Sequence, residues 1–349
     1  MNIKGKKVFV GMSGGVDSSL SAALLKEQGY NVTGVFIKVW QPDFIECTWK
    51  EDRLDAMRVA SALGIPFVTL DLEKEYKQGV IDYMIEEYRV GRTPNPDVMC
   101  NREVKFGAFW KWAKDQGADY IATGHYARTD NGHLFASRDT NKDQTYFLWT
   151  LTKEDLSHIL FPIGHMTKSD VRKEAERRGL YTSKKKDSQG LCFVGSIDLK
   201  TLLKEYIDEQ EGAVLDRDGN RIGTHSGSTF YTIGERHGFT ITKKTSEDAP
   251  YYVVGKDLAS NTLTVSHEKP TVETACIPLS RVSFVSDIPQ EGKIYKARGR
   301  YRAPCAKVTL SKNGEGWSAN VLEGELIRTG GQSLVVYDGN SCLGGGIMD

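Results

Sequence analysis

Three clusters of residues in this 349-residue chain have types and spacings that can do chemistry. The first is Val8-Phe9-Val10-Gly11-Met12-Ser13-Gly14-Gly15-Val16-Asp17-Ser18-Ser19, where an apolar strand breaks at two adjacent glycines. The chain then restarts as a helix with Leu20, Ala23 and Leu24 on one face, closed by Gly29. Strand, glycine turn and helix start make a phosphate cradle: glycine lets the backbone approach an anion, and the open N–H groups of a first helical turn point at it. Ser13, Ser18 and Ser19 add hydroxyl donors. Asp17 is the odd member, because a carboxylate beside phosphates is repelled unless a divalent cation lies between them; Mg²⁺ with a polyphosphate suits that arrangement. A Walker loop is excluded, since no lysine lies between Gly11 and Lys26. A dinucleotide fingerprint is excluded because the glycines fall at Gly11, Gly14 and Gly15.

The second cluster is Gly91-Arg92-Thr93-Pro94-Asn95-Pro96-Asp97-Val98-Met99-Cys100-Asn101. Two closely spaced prolines predict an extended, non-helical loop that holds Asp97 and Cys100 in fixed relation. The third is Lys184-Lys185-Lys186-Asp187-Ser188-Gln189-Gly190-Leu191-Cys192-Phe193, in which a cationic, glycine-containing loop delivers a second cysteine. Nearby cations favour thiolate, the reactive form. Cysteines are also common as small core residues, and for Cys100 and Cys192 both readings stand on the residues alone. Cys276, Cys305 and Cys342, in β-like or glycine-rich runs, read as core; Cys47, in a polar loop, stays open between the two.

An α/β pattern must position these groups. Strands are expected at Asn31 to Trp40, Pro66 to Leu70 and Ala118 to Thr123. Helices are expected at Glu51 to Leu63, Tyr76 to Tyr88, Val104 to Gln116 and Lys168 to Arg178, with a loop at Pro42 to Thr48. This alternation predicts a doubly wound parallel sheet with ligands at the carboxyl ends of its strands. Gly11 to Ser18, Ile37 and Gly124-His125 all fall at such ends. From about Glu211 onward, strand-like runs alternate with glycine turns, and little helix is expected. We divide the chain into a catalytic domain over 1–206, a small central linker domain over 207–270 and a β-barrel-like domain over 271–349.

Lys+Arg and Asp+Glu balance at 46 each, so any nucleic-acid surface must be local. The best local evidence is Lys293 to Lys307, where Lys293, Lys296, Arg298, Arg300, Arg302 and Lys307 interleave with Tyr295 and Tyr301 without an acidic residue. Read as a strand, it aims charges at one face, suited to phosphates, with a tyrosine able to stack on an extruded base; a solvated edge strand is the bland alternative. The polar N-terminus predicts no signal peptide and no apolar run reaches membrane-span length, so no membrane partner is expected. The six scattered cysteines show neither Cys-x-x-Cys nor zinc-finger spacing, which suits a cytoplasmic enzyme with reduced thiols. His133, His158, His165, His225, His237 and His267 lack metal-ligand spacing.

Ser13-Gly14-Gly15-Val16-Asp17-Ser18 resembles the pyrophosphate (PP) loop of the ATP pyrophosphatases, which cleave ATP to AMP and pyrophosphate while activating a carbonyl oxygen. That loop occurs in order with Asn95-Pro96-Asp97 and Cys100, Thr123-Gly124-His125-Tyr126, Lys142-Asp143-Gln144 and Lys186-Asp187-Ser188-Gln189-Gly190-Leu191-Cys192-Phe193. Tyr251-Tyr252-Val253-Val254 and Cys342-Leu343-Gly344-Gly345-Gly346 extend the pattern over nearly the whole chain. Together they resemble the bacterial tRNA-specific 2-thiouridylases of the MnmA type. The resemblance implies ATP-dependent thiolation of C2 of the wobble uridine in tRNAs for Lys, Glu and Gln. It implies a sulfur-relay protein or cysteine desulfurase as donor, ATP at Gly11, Met12, Ser13, Gly14, Gly15, Val16, Asp17, Ser18, Ile37 and Gly124, and Mg²⁺ beside it. It places tRNA at Asn95, Pro96, Asp97, Lys142, Asp143, Gln144, Arg300 and Tyr301, with His125 and Gln332 positioning the reacting groups. The family often shows Pro-Gly-Gln where this chain has Gly330-Gly331-Gln332, a looser turn.

The chemistry is consistent with that implication. C2 oxygen is a poor leaving group, and adenylation turns it into departing AMP. A Cys192 persulfide then supplies sulfur, and Cys100 attacks the adduct or persulfide, leaving a transient Cys100–Cys192 disulfide for a reductant to reset. Asp97 is a general base or a contact that orients the base. Two other classes compete: an amidating synthetase, which leaves the cysteines without work, and a non-enzymatic tRNA-binding protein, which leaves the intact loop without work.

Overall fold

The computed structural model describes residues 3–44, 49–187, 199–242, 249–270, 276–285, 287–314 and 316–349. Strand β1, Lys7–Gly11, is the centre of a five-stranded parallel sheet with β2, Asn31–Lys38, β3, Phe67–Asp71, β4, Tyr120–Ala122, and β7, Ile159–Leu160, in the order β3-β2-β1-β4-β7. Alternate residues of β1 enter two different cores. Val8 and Val10 pack with Leu20 of α1, Val16–Glu27, and with Val171 and Ala175 of a later helix, Lys168–Arg177. Phe9 packs on the other face with Phe109 and Ala113. A strand buried on both sides reads as a continuous apolar run, which is why Val8 to Met12 was legible.

The remaining helices of this layer follow the expected periods. Helix α2 spans Trp49–Ala62. Helix α3 runs without a break through Glu73–Tyr76, Lys77–Asp82 and Tyr83–Arg89, its middle wound more widely with i→i+5 turns. Helix α4 runs through Pro96–Met99, Cys100–Ala108 and Phe109–Asp115. Lys168–Arg177, here α5, starts at a capping box in which Thr167 and Asp170 exchange hydrogen bonds.

The start of α4 corrects the extended loop expected at the two prolines. Pro96 takes the first helical position, where its missing N–H costs no hydrogen bond and its fixed φ suits the helix. Asn95 precedes it as the cap, its Oδ1 accepting from Asp97 N at 3.1 Å and Val98 N at 3.3 Å. Proline there begins the helix eight residues earlier than the expected start at Val104.

Helix α6, Leu199–Lys204, leads to a second sheet formed by β8, Gly212–Leu215, β9, Arg221–His225, β10, Thr240–Ile241, β11, Tyr252–Asp257, and β12, Thr262–Ser266. The last six strands are β13, Cys276–Phe284, β14, Ile294–Arg298, β15, Ala306–Asn313, β16, Gly316–Glu323, β17, Ser333–Asp338, and β18, Ser341–Met348. They pair antiparallel in the order β13-β16-β15-β14-β17-β18, and β18 returns to β13, closing a barrel. Gly344 permits that closure, since a Cβ on it would stand 2.1 Å from Ser283 O of β13, and Gly345 permits the close approach of β17, where a Cβ would stand 2.3 Å from Leu334 O. The hairpin β5, Ala127–Asp130, and β6, His133–Ala136, leaves the first domain and adds to β18 through Cys342 opposite Leu134. No helix among the described residues is long and apolar enough to cross a membrane.

Candidate active site

The loop between β1 and α1 is built for an anion. Gly14 has φ +73°, and a Cβ there would lie 2.3 Å from Asp52 O, so glycine is required twice over. Gly15 begins α1 with no side chain capping its first turn, which leaves the backbone donors of that turn open. Ser18 Oγ accepts from Ser13 N at 3.2 Å, and Ser18 and Ser19 hydroxyls donate to Gly15 O. The serines thus fold the loop onto itself. Gly124, after β4, abuts the loop so closely that a Cβ would be 2.7 Å from Ser18 N. Met12 and Val16 are buried beneath the turn, and Ile37, 5 % exposed, lies with Phe9, Val35, Val39 and Leu70 in the core.

Asp17 is held by a cation. Lys168 Nζ donates to its Oδ1 and Oδ2 at 2.9 and 2.7 Å, and Tyr126 Oη donates to Oδ1 at 2.8 Å. Burial, together with the Asp17 carboxylate, holds the Tyr126 phenol protonated. Lys168 also pairs with Asp187 at 2.8 Å, and Asp187 draws in Lys142 at 2.6 Å and Arg172 at 2.8 Å. Burial opposes ionisation of Asp187, yet hydrogen bonds from Lys142 and Lys168 outweigh it and bring its pKa down to about 2. The open donors and this cation group fit a polyphosphate. A metal fits less fully: no cluster of three or more His, Cys, Asp or Glu that could hold an ion occurs among the described residues. Asp17 with substrate phosphates is the donor set available to magnesium.

Cys100 ends the first turn of α4 and is wholly buried. Asp97 lies one turn before it, on the Asn95 cap. Further along α4, the Phe106 ring lies 5.7 Å from the His125 ring, which follows Gly124. His125 Nδ1 shares a 2.7 Å hydrogen bond with Thr123 Oγ1, and burial, with Lys105 nearby, drives its pKa well below the ordinary value. It is a neutral imidazole. Cys192, with Ser188, Gln189, Gly190, Leu191 and Phe193 around it, lies outside the described residues, as does Cys47.

A turn of the barrel reaches the segment that leads into this helix. Gln332 Nε2 donates to Thr93 O at 2.8 Å and Pro94 O at 3.2 Å, and Thr93 N donates to Gly330 O at 2.8 Å. Gly331, at φ +91°, passes so near that a Cβ would be 2.9 Å from Thr93 N. The double glycine that looks loose in sequence is a close-packed joint. Arg92 beside it is locked to buried Glu87 by two 2.6 Å hydrogen bonds.

Residues 6–196 match the family described as tRNA methyl transferase HUP domain, residues 200–267 its PRC-barrel domain, and residues 274–348 the aminomethyltransferase beta-barrel domain. The tRNA-specific 2-thiouridylase MnmA of Streptococcus thermophilus is 48% identical over 355 residues, covering 98% of this chain and 95% of that protein. The chain belongs to the tRNA-specific 2-thiouridylase family. The Streptococcus mutans 2-thiouridylase is 46% identical, with the same coverages of 98% and 95%. Among solved structures, the U34-tRNA thiolase NcsA of Methanococcus maripaludis is similar at 19% identity and TM-score 0.38, covering 59% of this chain and 66% of that one. A 4-thiouridine synthetase–RNA complex with bound ATP is similar at 20% identity and TM-score 0.35, covering 57% and 49%.

In this 2-thiouridylase-family chain, the residues expected to meet tRNA have unequal surroundings. Asp143 is 5 % exposed; its Oδ1 accepts from Ser137 N at 3.0 Å and its Oδ2 from Thr145 Oγ1 at 2.8 Å, so it anchors its own loop. Gln144 brackets Tyr126, donating from its N to Tyr126 O and accepting at Oε1 from Tyr126 N, both at 2.9 Å. Lys142 is the outward member, on Asp187. The strand expected from Lys293 to Lys307 is corrected: β14 ends at Arg298, and Gly299 to Arg302 form a turn, with Ala303 N donating to Arg300 O. The alternating charges therefore do not share one face. Arg300 bonds Ile233 O and, at 3.0 Å, Thr329 Oγ1, and Tyr301 lies 4.5 Å from the Phe147 ring.

Cys342 is buried, and burial raises its thiol pKa to about 12, as suits a core residue. Cys276, also read as core, is exposed at the start of β13, where alternation turns it outward. The sequence reading missed Lys168 and Arg172 because they are solvent-type residues on a charged helix. A lysine 151 residues from Asp17 gives no spacing signal.

Proposed function

We propose that the chain activates C2 of a tRNA uridine with ATP and replaces its oxygen by sulfur, giving 2-thiouridine, AMP and pyrophosphate. The observation that carries this reading is the PP loop with open helical donors beside a cation group, joined through Gly124-His125 to the helix bearing Cys100. The base's O2 attacks the α-phosphate and pyrophosphate leaves, its charge met by the first turn of α1. The terminal sulfur of a Cys192 persulfide attacks C2, and AMP departs with the oxygen. The Cys100 thiolate then attacks the Cys192 sulfur, releasing 2-thiouridine and leaving a disulfide that an external thiol reduces. Asp17 and the substrate phosphates would hold magnesium, which would supply charge neutralisation there. The neutral His125 acts through hydrogen bonding rather than as a cation. Asp97, at the cap of α4, orients the base or accepts its proton.

The name of the matching domain speaks of methyl transfer, but an anion cradle suits a polyphosphate and repels a sulfonium methyl donor. The finer reading takes the wobble uridine of tRNAs for Lys, Glu and Gln as target, a sulfur-relay protein or cysteine desulfurase as donor, and the cytoplasm as setting. Arg300 and Tyr301 present the barrel–central-domain junction to the anticodon stem-loop, with Lys142 and Asn95-Pro96 nearer the base. Mass spectrometry of tRNA nucleosides after incubation with the protein, ATP and a persulfide source tests it. 2-Thiouridine at the wobble position is expected; its absence, or its formation without ATP, overturns the reading.

A further inference from the structure

Lys168 is placed where neither a surface lysine nor a simple salt bridge would leave it. Its side chain is 13% exposed and its Nζ bridges two carboxylates, Asp17 in the PP loop and Asp187 at the end of the basic run 184–186. Asp187 receives three cations, from Lys142, Lys168 and Arg172, which is the environment a phosphate group seeks. The third nearby carboxylate, Asp139, is engaged elsewhere, accepting from Lys168 N at 2.9 Å, Asn141 N and Lys142 N. It fixes the start of α5 and does not neutralise the ammonium group.

Resting on the reading of this loop as an ATP site, we infer that Lys168 is the cation that meets the polyphosphate, and that the Asp187 carboxylate is its internal stand-in. A triphosphate entering the loop brings more negative charge than the single carboxylate, within reach of the same cations. Lys168 keeps its hold on Asp17, which positions it over the loop, and exchanges Asp187 for phosphate oxygen. Lys142 and Arg172 lose part of their hold on Asp187 in the same event. Removing Asp187 therefore frees cations for the anion, whereas removing Lys168 takes away the ammonium group that holds the Asp17 carboxylate beside the loop.

The test uses the full chain and measures equilibrium binding of inorganic pyrophosphate, ATP and adenosine. Lys168→Met is expected to weaken pyrophosphate and ATP by at least about tenfold, some 1.4 kcal/mol, with adenosine unchanged. Lys168→Arg, which keeps the charge, is expected to recover most of that loss. Asp187→Asn is expected to tighten pyrophosphate binding several-fold while lowering the melting temperature. A purely structural cluster gives the opposite sign, with Asp187→Asn binding pyrophosphate equally or more weakly, and that result overturns the inference. Asp187→Asn also carries the test if Lys168→Met does not fold. Wild-type protein that binds ATP beside variants that bind it unchanged overturns the inference alone. Wild-type protein that binds no ATP overturns the adenylation reading and the inference together.

Discussion

The PP loop and the basic run of the barrel both look like anion sites in the sequence, and the fold treats them differently. In the loop, no side chain caps the first turn of α1, so its donors stay available. In the barrel, Lys293 pairs with Asp338 and Lys307 with Glu323, each at 2.6 Å, Arg298 lies on Cys305 Sγ at 3.2 Å, and Arg300 bonds a backbone carbonyl. The difference teaches that backbone donors are committed by local geometry, whereas a charged side chain is committed by whatever lies across the sheet. Counting Lys and Arg along one strand overstates the charge left for a partner.

The largest effect that would break this comparison is at the loop. Asp17→Ala is expected to reduce ATP-dependent pyrophosphate release by a hundredfold or more, on the order of 3 kcal/mol, with tRNA affinity nearly intact. A pyrophosphate assay near the wild-type rate would remove the loop from the chemistry. The joint between barrel and α4 comes next. Gly331→Val forces a β-branched residue to φ +91° against Thr93, with an expected loss of about 3 kcal/mol in urea unfolding and a drop in thiolation. Gln332→Ala, which removes the bonds to Thr93 and Pro94 but leaves the backbone alone, is expected to cost about 1 kcal/mol.

Acid titration sharpens the loop side. Because the pKa of Asp187 falls from 3.8 to about 2 on folding, its stabilisation is present above pH ~4 and is lost as pH falls through about 2. The difference in acid unfolding between wild type and Asp187→Asn is expected to be about 2 kcal/mol above pH 5 and to vanish near pH 2. A constant difference across that window would show that the carboxylate is not held by its cations.

The smallest effect distinguishes two kinds of basic residue on the barrel. Lys296→Ala is expected to reduce the salt slope of tRNA binding by about 0.7–0.9, one phosphate contact. Arg300→Ala is expected to weaken binding and lower the melting temperature with the slope nearly unchanged, because its guanidinium is held by Ile233 O and Thr329. A slope change at Arg300 equal to that at Lys296 would reverse these roles.

The strand–glycine–helix start, the parallel sheet and the β-rich second half were legible because each depends on period and turn chemistry within a few residues. The start of α4 was not, since proline acts oppositely at the first helical position and in a helix interior. The end of β14 was missed for a related reason: positive charge at alternate positions continues through Gly299 to Arg302, while the backbone bends. The hairpin on the barrel had its signal in Asp130-Asn131-Gly132, where Asn131 and Gly132 take positive φ, but nothing local names β18 as its partner.

By itself, the sequence determined an anion loop, its order with the Asn95-Pro96-Asp97 and Cys100 segment, and the family to which that order belongs. Only the tertiary structure decided that Lys168 compensates Asp17, that Asp187 gathers three cations, that Asp143 faces inward, and that Gly331 and Gln332 clamp Thr93. The physical reason is range. Backbone conformation and hydrogen-bond donors are set by neighbours along the chain, while the partner of a charge is set by residues brought together across 151 or 239 positions of sequence.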